Sequence, residues 1–249
     1  MAAAIRAVVF DLGGTIEEIS FDDASWREAT RGLREMLRSL NLDPGLELSE
    51  LQSVVMAGMI AYRHWREQTL VELPPERVWT EYVIPDHGLP KDRLAAAAED
   101  LTLYYENSYM TRTLRPEVPE VLEALRQRGL RLAVISNVIS RRQVRHNLAL
   151  YRLEQYFDPI VTSAGLGIRK PHPKIFLEAA RLMGLPPAAC AYVGDTVSRD
   201  VVGSRRAGYG LAIHIKSFLT DKSDRETDTE SPNVVVRDLR EIIPLVTSR

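Results

Sequence analysis

The stretch Phe10-Asp11-Leu12-Gly13-Gly14-Thr15 follows the first apolar run of the chain, residues 5–10. Short runs of this kind, rich in Val, Ile and Ala, are typical of strands that are buried on both faces of a parallel sheet. A polar side chain that comes directly after such a strand projects at the carboxyl edge of the sheet, where open α/β folds bind their ligands. The stretch therefore predicts both a fold class and the place of a binding site.

Further apolar runs of the same character occur later in the chain. The predicted strands cover residues 5–10, 130–135, 159–162, 189–193, 210–215 and, with a weaker pattern, 233–236. Helical patterns alternate with them at 117–128, 171–183 and 198–207, and the second of these helices is expected to begin with Pro171 at its first position. This alternation predicts an α/β fold with a parallel sheet.

A long insertion separates the first predicted strand from the second. A crossover between parallel strands needs only about 30 residues, whereas here more than a hundred intervene. Residues 17–111 are helical in pattern throughout, with helices predicted behind Asp22 or Asp23 as N-cap and at 48–66, 75–83 and 93–109. We expect a helical cap domain, 17–111, that stands over a core domain, 1–16 and 112–249, and opens and closes as a lid.

Composition narrows the class of protein. The 249 residues are 45% hydrophobic and 27% charged, as in ordinary globular proteins, and a net charge of −2 argues against nucleic-acid and anionic-membrane partners. The first residues lack the pattern of a signal peptide, and no apolar run approaches the about 20 residues of a membrane span. The single cysteine, Cys190, excludes an internal disulfide and is expected to be buried. We expect a soluble, cytoplasmic protein with a solvated loop at 217–232.

Two segments near predicted strand ends suit phosphate chemistry. The carboxylate of Asp11 can attack phosphorus and form an aspartyl phosphate that water hydrolyses. Ser136 and Asn137, which end the second strand of the predicted core, offer a hydroxyl and backbone N–H groups for phosphate oxygens. Taken singly, an aspartate that caps a turn and a serine in a turn or at a helix N-cap are the better explanation of these residues.

Two later segments add charge of both signs. In Lys170-Pro171-His172-Pro173 the lysine is held at a helix entrance, where it can neutralise a carboxylate and phosphoryl oxygens; His172 receives no role. Asp195 and Asp200 follow a strongly apolar strand, and carboxylates there suit Mg²⁺, which takes one or two of them and keeps waters. Asp195 is the better direct ligand, while Asp200 is expected to orient Lys170 or a metal-bound water from outside the coordination sphere.

The four segments, in this order, resemble the motifs of the haloacid dehalogenase superfamily, in the branch with a helical cap between the first motif and the second. The resemblance covers essentially the whole chain. It implies a Rossmann-like core and a Mg²⁺-dependent phosphatase that hydrolyses a small phosphorylated metabolite through an aspartyl phosphate.

The resemblance also implies a role for each matching residue. Asp11 is implied as the nucleophile, Ser136 as the phosphate-binding hydroxyl and Lys170 as the charge-neutralising lysine. Asp195 and Asp200 match the acidic metal motif. The backbone carbonyl of Gly13 is implied as a further metal ligand beside Asp11 and Asp195.

One position departs from the family pattern. Phosphatases of the superfamily usually carry a second aspartate two residues after the nucleophile, as general acid and base, and here that residue is Gly13. A general acid or base contributes about 10²–10⁴ in rate. Its loss should cripple hydrolysis of alkyl phosphates and matter less for acyl, aryl or anomeric phosphates. Glu17, Glu18 or a cap residue is a candidate substitute.

Alternatives to a phosphatase stay open at this point. A hydrolase of carbon–halogen bonds also lacks the second aspartate, although the retained Asp195 favours Mg²⁺ and phosphate. A weak or inactive phosphate-binding member of the family has Gly13 as its only support. We expect a monomer or a homodimer whose specificity lies in the cap. Candidate residues there, without an assigned role, are Arg63, His64, Arg66 and Tyr105.

Overall fold

The computed structural model describes residues 4–85, 87–217 and 230–247. The strands of these residues, in chain order, are β1 (Ala7–Phe10), β2 (Glu17–Ser20), β3 (Thr111–Leu114), β4 (Arg131–Ser136), β5 (Ile160–Thr162), β6 (Cys190–Gly194), β7 (Leu211–Ile215) and β8 (Val234–Val236). The helices are α1 (Asp23–Ser39), α2 (Leu48–Thr69), α3 (Pro75–Val78), α4 (Lys91–Ser108), α5 (Val118–Gln127), α6 (Gln143–Leu150), α7 (Ser163–Leu166), α8 (Pro173–Leu182), α9 (Val202–Arg206) and α10 (Ile242–Thr247). Short π-helical segments at Trp79–Val83 and Val197–Val201 adjoin α3 and α9.

The core is a parallel sheet with the strand order β5-β4-β1-β6-β7-β8. In β1, at its centre, Val9 pairs with Ala133 on one side and with Tyr192 on the other. Alternate residues of β1 serve two apolar clusters, since Val8 packs into one and Val9 into the other. Because the sheet is covered on both faces, its strands are continuous apolar runs. The predicted strands and the α/β Rossmann-like fold class are confirmed.

The helix that follows Lys170 begins later than its sequence predicts. His172 is the N-cap residue, and its Nδ1 accepts the Lys174 backbone N–H at 3.2 Å. Pro173 therefore occupies the first turn, and the expectation that Pro171 begins the helix is wrong. The histidine ring supplies the acceptor that an N-cap requires, so the helix begins at Pro173, the second of the two prolines in this segment.

The insertion forms its own apolar core from helices α1 to α4. Leu33, Leu37, Leu51, Val55 and Trp79 are fully buried in it. Asp22 is the N-cap of α1, as predicted, and accepts the Ser25 backbone N–H at 2.7 Å. Among the described helices none has the length and apolar character of a membrane span.

The two crossings between core and insertion pair with each other. β2 and β3 form an antiparallel ribbon in which Glu17 lies opposite Leu114 and Ser20 opposite Thr111. The prediction that 17–111 is helical throughout is therefore wrong at both ends. Each strand has only four residues, so its alternating burial is too short to stand out beside long helical patterns. The division into a core domain, 1–16 and 112–249, and a cap domain, 17–111, stays a prediction.

Two further sequence predictions concern Cys190 and the polar loop. Cys190 is a free, fully buried cysteine, and burial raises the pKa of its thiol to about 11, which confirms that it behaves as a small hydrophobic residue. Of the predicted loop 217–232, residues 218–229 lie outside the described part of the chain.

Candidate active site

Asp11 and Lys170 meet at the carboxyl edge of the sheet. The Nζ atom of Lys170 lies 2.8 Å from Oδ1 of Asp11 and 2.7 Å from Oδ1 of Asp200. Nζ also donates to the hydroxyl of Tyr192 at 2.9 Å and to the carbonyl of Ile135 at 3.2 Å. Only 2% of the Lys170 side chain is exposed, so its charge acts in a site of low polarity on the two carboxylates beside it.

Asn137 fixes the backbone of Lys170. Its Oδ1 accepts the Lys170 N–H at 2.9 Å, and its Nδ2 donates to the Lys170 carbonyl at 3.1 Å. This pair of bonds ties the segment before α8 to the end of β4. The amide of Asn137 is thus engaged with the lysine backbone, and its predicted contact with substrate stays a prediction. Ser136, the last residue of β4, is 4% exposed and lines the cavity above the sheet.

Asp200 is held from several sides. Its Oδ2 accepts the backbone N–H and the hydroxyl of Thr196 at 3.1 and 2.7 Å, while Oδ1 accepts the Tyr192 hydroxyl at 3.0 Å. With Lys170 also on Oδ1, both oxygens are engaged by protein groups. This arrangement fits the prediction that Asp200 lies outside the metal coordination sphere and orients Lys170. Tyr192 was not predicted, because within an apolar strand it has the same pattern as any core aromatic residue.

Three buried carboxylates form a candidate metal centre. Asp11, Asp195 and Asp200 each offer one oxygen, and these oxygens lie within 4.8 Å of one another. Ser217 donates to Oδ2 of Asp195 at 2.6 Å, which orients that carboxylate. Gly14 has φ +86°, and a Cβ there would overlap the Asp195 carboxylate, so only glycine lets this loop come so close.

The protonation of the cluster reflects its surplus of negative charge. Burial, followed by the charges of Asp11 and Asp200, raises the pKa of Asp195 to about 8. Burial raises the pKa of Asp11 although Lys170 opposes it. At Asp200 burial also acts to raise the pKa, but Lys170, the Thr196 hydrogen bond and the charge of Arg199 together lower it below its usual value. Lys170 contacts Asp11 and Asp200, and the charge of Arg199 acts on Asp195 and Asp200, so three carboxylates share two cationic side chains. Hard oxygen donors grouped in this way fit a divalent cation such as Mg²⁺. The Gly13 carbonyl as a further ligand stays a prediction.

Gly13 faces the ribbon of β2 and β3. A Cβ at this position would lie 2.7 Å from Cδ1 of Ile19 and 3.5 Å from Nη1 of Arg112. The direction in which a carboxylate of residue 13 would extend is therefore taken by an apolar side chain and a guanidinium group. Nη1 of Arg112 lies 2.5 Å from Oε2 of Glu17, and its Nε donates to the Glu106 carbonyl at 2.8 Å.

The two carboxylates suggested as substitutes for the missing acid point elsewhere. Glu17 is fully buried, and besides Arg112 it accepts Nδ2 of Asn147 at 2.7 Å. The side chain of Glu18 is 62% exposed, lies 3.8 Å from Arg115 and lines a second pocket together with Arg115 and Ser217. Neither residue lines the cavity that Asp11 lines.

A cavity of about 410 Å³ lies between the sheet edge and the helical insertion. Such a volume is in the usual range for small-molecule sites. Core residues of its lining include Asp11, Gly13, Ser136 and Lys170, and residues of the insertion include Trp26, Met56, Met59, Ile60 and Tyr109. Of the four unassigned candidates, Arg63, Arg66 and Tyr105 also line it, whereas His64 is exposed and does not.

Glu106, near the end of α4, is a cavity residue that the sequence did not single out. Its two oxygens accept the backbone N–H groups of Ile139 and Ser140 at 2.8 and 3.0 Å, so it joins the insertion to the loop after β4. Burial raises the pKa of Glu106 to about 7. No local pattern distinguishes this residue from the other acids of α4, because its partners lie more than thirty residues away.

Comparison with known proteins places the chain in a family. A model described as haloacid dehalogenase-like hydrolase matches residues 5–208. Together with the parallel sheet and the four segments at its carboxyl edge, this match shows that the chain belongs to the haloacid dehalogenase-like hydrolases, and the resemblance seen in the sequence is confirmed.

Similar proteins include named phosphatases and a dehalogenase. The chain is 28% identical to a glyceraldehyde 3-phosphate phosphatase of Methanopyrus kandleri, over 97% of each chain. It is 33% identical to a phosphoserine phosphatase of Thermus thermophilus, over 67% of this chain and 63% of that protein. The crystal structure of a 2-haloacid dehalogenase from Pseudomonas syringae pv. Tomato superposes with a TM-score of 0.66 at 24% identity, over 97% of each chain, and this likeness shows the fold alone.

Proposed function

We propose that the protein is a Mg²⁺-dependent phosphatase that hydrolyses a small phosphorylated metabolite through an aspartyl phosphate on Asp11. The observation that carries the proposal is the 2.8 Å contact between Lys170 and Asp11 within a group of three buried carboxylates. The phosphatase names of the two relatives that were matched by sequence support it.

In this mechanism the two oxygens of Asp11 have different tasks. Oδ1 is held by Lys170, and the other oxygen attacks phosphorus while the bond from phosphorus to the ester oxygen breaks. Lys170 and the hydroxyl of Ser136 bind phosphoryl oxygens and stabilise the charge that they carry. Water then attacks the phosphorus of the aspartyl phosphate, which releases inorganic phosphate and restores the carboxylate.

The metal completes the charge balance of the site. Asp11 and Asp195, with the Gly13 carbonyl, would hold Mg²⁺, which neutralises phosphoryl charge when bound. Asp200 keeps Lys170 in place and has no part in bond breaking. Since Asp195 and Asp200 add carboxylates that an attack on a carbon–halogen bond does not need, the cluster favours phosphate over a halogenated substrate.

The surroundings of Gly13 restrict the leaving group. The guanidinium of Arg112 lines this part of the cavity and can stabilise negative charge on a departing oxygen. Neither Glu17 nor Glu18 lines the cavity to serve as the acid. We therefore expect acyl, aryl or anomeric phosphates as substrates, because their leaving oxygens depart without full protonation.

The test is steady-state hydrolysis of para-nitrophenyl phosphate with and without Mg²⁺, for the wild type and for Asp11→Asn. Its leaving group needs little protonation, so the test does not depend on a general acid. We expect turnover that requires Mg²⁺ and is lost in Asp11→Asn. If both proteins fold and neither turns over, the proposal fails, and a non-catalytic phosphate-binding protein, which the glycine at position 13 would favour, takes its place.

A further inference from the structure

One buried carboxylate serves two guanidinium groups next to the candidate active site. Glu72 is fully buried, and its Oε2 lies 2.6 Å from Nη1 of Arg169, while its Oε1 lies 3.5 Å from Nη1 of Arg66. The same carboxylate also accepts the hydroxyl groups of Tyr62 at 2.5 Å and Ser163 at 2.8 Å. The guanidinium groups of Arg66 and Arg169 thus share one carboxylate, and both oxygens of that carboxylate already accept a hydroxyl group.

Arg66 is the less satisfied of the two arginines. Its contact with Glu72, at 3.5 Å, is at the outer limit of a hydrogen bond, and its Nε is buried without a hydrogen-bond partner in the described part of the chain. The guanidinium lies over the ring of Tyr62 at 5.2 Å. Buried donors are nearly always paired, so an unpaired one at a cavity wall indicates a missing acceptor.

Arg169 also experiences a surplus of positive charge. Its side chain is 5% exposed, and burial together with the neighbouring charge of Arg66 lowers its pKa to about 9. Of the nearby charges, Glu67 pairs with Arg63 at 2.9 Å. Glu106 accepts two backbone N–H groups and also acts on Arg66, while Arg199 adds positive charge near Arg169.

Both arginines lie within reach of a molecule that is bound at the reaction centre. Arg66 and Arg169 line the same cavity as Asp11 and Lys170. Arg169 directly precedes Lys170 in the chain, and consecutive Cα atoms are only about 3.8 Å apart. Because both side chains line one cavity, a ligand whose phosphoryl group contacts Lys170 can also contact Arg169.

We propose that Arg66 and Arg169 bind a carboxylate of the substrate, so that the substrate class is acyl, aryl or anomeric phosphates of small molecules that also carry a free carboxylate. Guanidinium groups bind carboxylates through paired hydrogen bonds, and a carboxylate would supply the acceptor that Nε of Arg66 lacks. Glu72 compensates one of the two guanidinium charges, while Glu106 acts on Arg66 and Arg199 acts on Arg169 with opposite signs. The remaining surplus is nearer to the single charge of a carboxylate than to the charge of about −1.5 to −2 on a second phosphoryl group. The inference rests on the proposed function for the position of the ester.

Two inert compounds test this proposal directly. Phosphonoacetate and ethylphosphonate both carry a phosphonate on a two-carbon chain, and they differ in having a carboxylate or a methyl group at the other end. Their affinities are measured by titration calorimetry at equal free Mg²⁺, and by inhibition of para-nitrophenyl phosphate hydrolysis. We expect the wild type to bind phosphonoacetate at least about tenfold more tightly, a difference of about 1.4 kcal/mol.

The ratio of the affinities for phosphonoacetate and ethylphosphonate is then measured in variants of Arg66. Arg66→Met should bring the ratio to within about twofold of unity, and Arg66→Lys, which keeps the charge without the planar fork, should give an intermediate ratio. The control is Arg77→Met, which removes an exposed arginine of α3 that pairs with Glu81 and does not line the cavity; its ratio should match the wild type.

Several outcomes would overturn the inference. Equal affinities in the wild type do so without any variant, and so does a tenfold ratio that persists in a folded Arg66→Met protein. If Arg66→Met shows no cooperative thermal transition, it is not folded. In that case the affinity ratios of the wild type and Arg66→Lys decide. Turnover of para-nitrophenyl phosphate without a preference for phosphonoacetate refutes the inference alone, whereas the preference without turnover supports it and refutes the proposed phosphatase.

Discussion

The Lys170 ammonium and the Asp11 carboxylate lie 2.8 Å apart although their backbones come from segments separated by more than 150 residues. The contact is buried and is reinforced by Asp200 on the other side of Nζ. A lysine in this position stabilises the negative charge of the two carboxylates. It also stabilises the charge of phosphoryl oxygens that would bind beside them.

Lys170→Met should lower kcat for para-nitrophenyl phosphate by about 10²–10³, the usual effect of removing one electrostatic stabiliser from a reaction centre. The physical reason is that Asp11 and Asp200 then lie beside the phosphoryl group without their ammonium. The control is Lys174→Met, because this lysine lies one turn further on with an exposed side chain. A kcat within threefold of the wild type in a folded Lys170→Met protein would contradict the role.

The rate of hydrolysis should fall steeply as the leaving group becomes more basic. Because Gly13 supplies no proton, aryl phosphates with phenols of increasing pKa should give a steep linear free-energy plot of kcat/KM, and an alkyl phosphate should react slower by about 10² or more. A carboxylate at residue 13 needs room, since its Cβ would lie 2.7 Å from Ile19. The double variant Gly13→Asp/Ile19→Ala should therefore flatten the plot, with Ile19→Ala alone as its control. A flat plot in the wild type would mean that another group donates the proton.

Breaking the buried pair of Glu17 and Arg112 should destabilise the fold strongly. Arg112→Met leaves the fully buried Glu17 carboxylate without its cation, which costs about 3–5 kcal/mol in comparable cases. The double variant Glu17→Gln/Arg112→Met removes both charges and should recover most of this loss, as urea unfolding of the four proteins would show. An additive loss in the double variant would mean that the two side chains act independently. Arg77→Met, at an exposed pair with Glu81, should change little.

Glu106 should make stability depend on pH in the weakly acidic range. Burial raises its pKa from 4.5 in the unfolded chain to about 7. Between these values the folded protein holds a proton that the unfolded chain has lost, so this contribution to stability is present below pH 4.5 and disappears as the pH rises through 7, by about 3 kcal/mol at most. Glu106→Gln has no such proton and should gain stability relative to the wild type from pH 5 to pH 8.

Urea midpoints of the wild type and Glu106→Gln at pH 5, 6, 7 and 8 test this relation. The matched control is Glu178→Gln, an exposed glutamate paired with Arg181, which should follow the wild type over this range. Parallel curves for the wild type and Glu106→Gln would show that Glu106 titrates normally, or that a neighbour compensates its charge.

The sequence alone determined the fold class and predicted which polar side chains meet at the carboxyl edge of the sheet. The strands of the core are apolar runs because both faces of the sheet are covered, and this pattern is local and visible in one dimension. Asp11, Ser136, Lys170 and Asp195 each lie beside such a run or at a helix entrance, and parallel strands bring these ends to one edge. Hence their convergence could be predicted without coordinates.

Tertiary structure decided the features that depend on partners far apart in the chain. Arg112 faces Gly13 because β2 and β3 pair across more than ninety residues, and no local pattern specifies that pairing. Glu72 joins Arg66 and Arg169 only where the insertion meets the segment before α8. Whether a charged side chain is exposed, paired or left short of a partner depends on these contacts. The sequence therefore predicted which side chains meet at the sheet edge, and the fold decided what surrounds them.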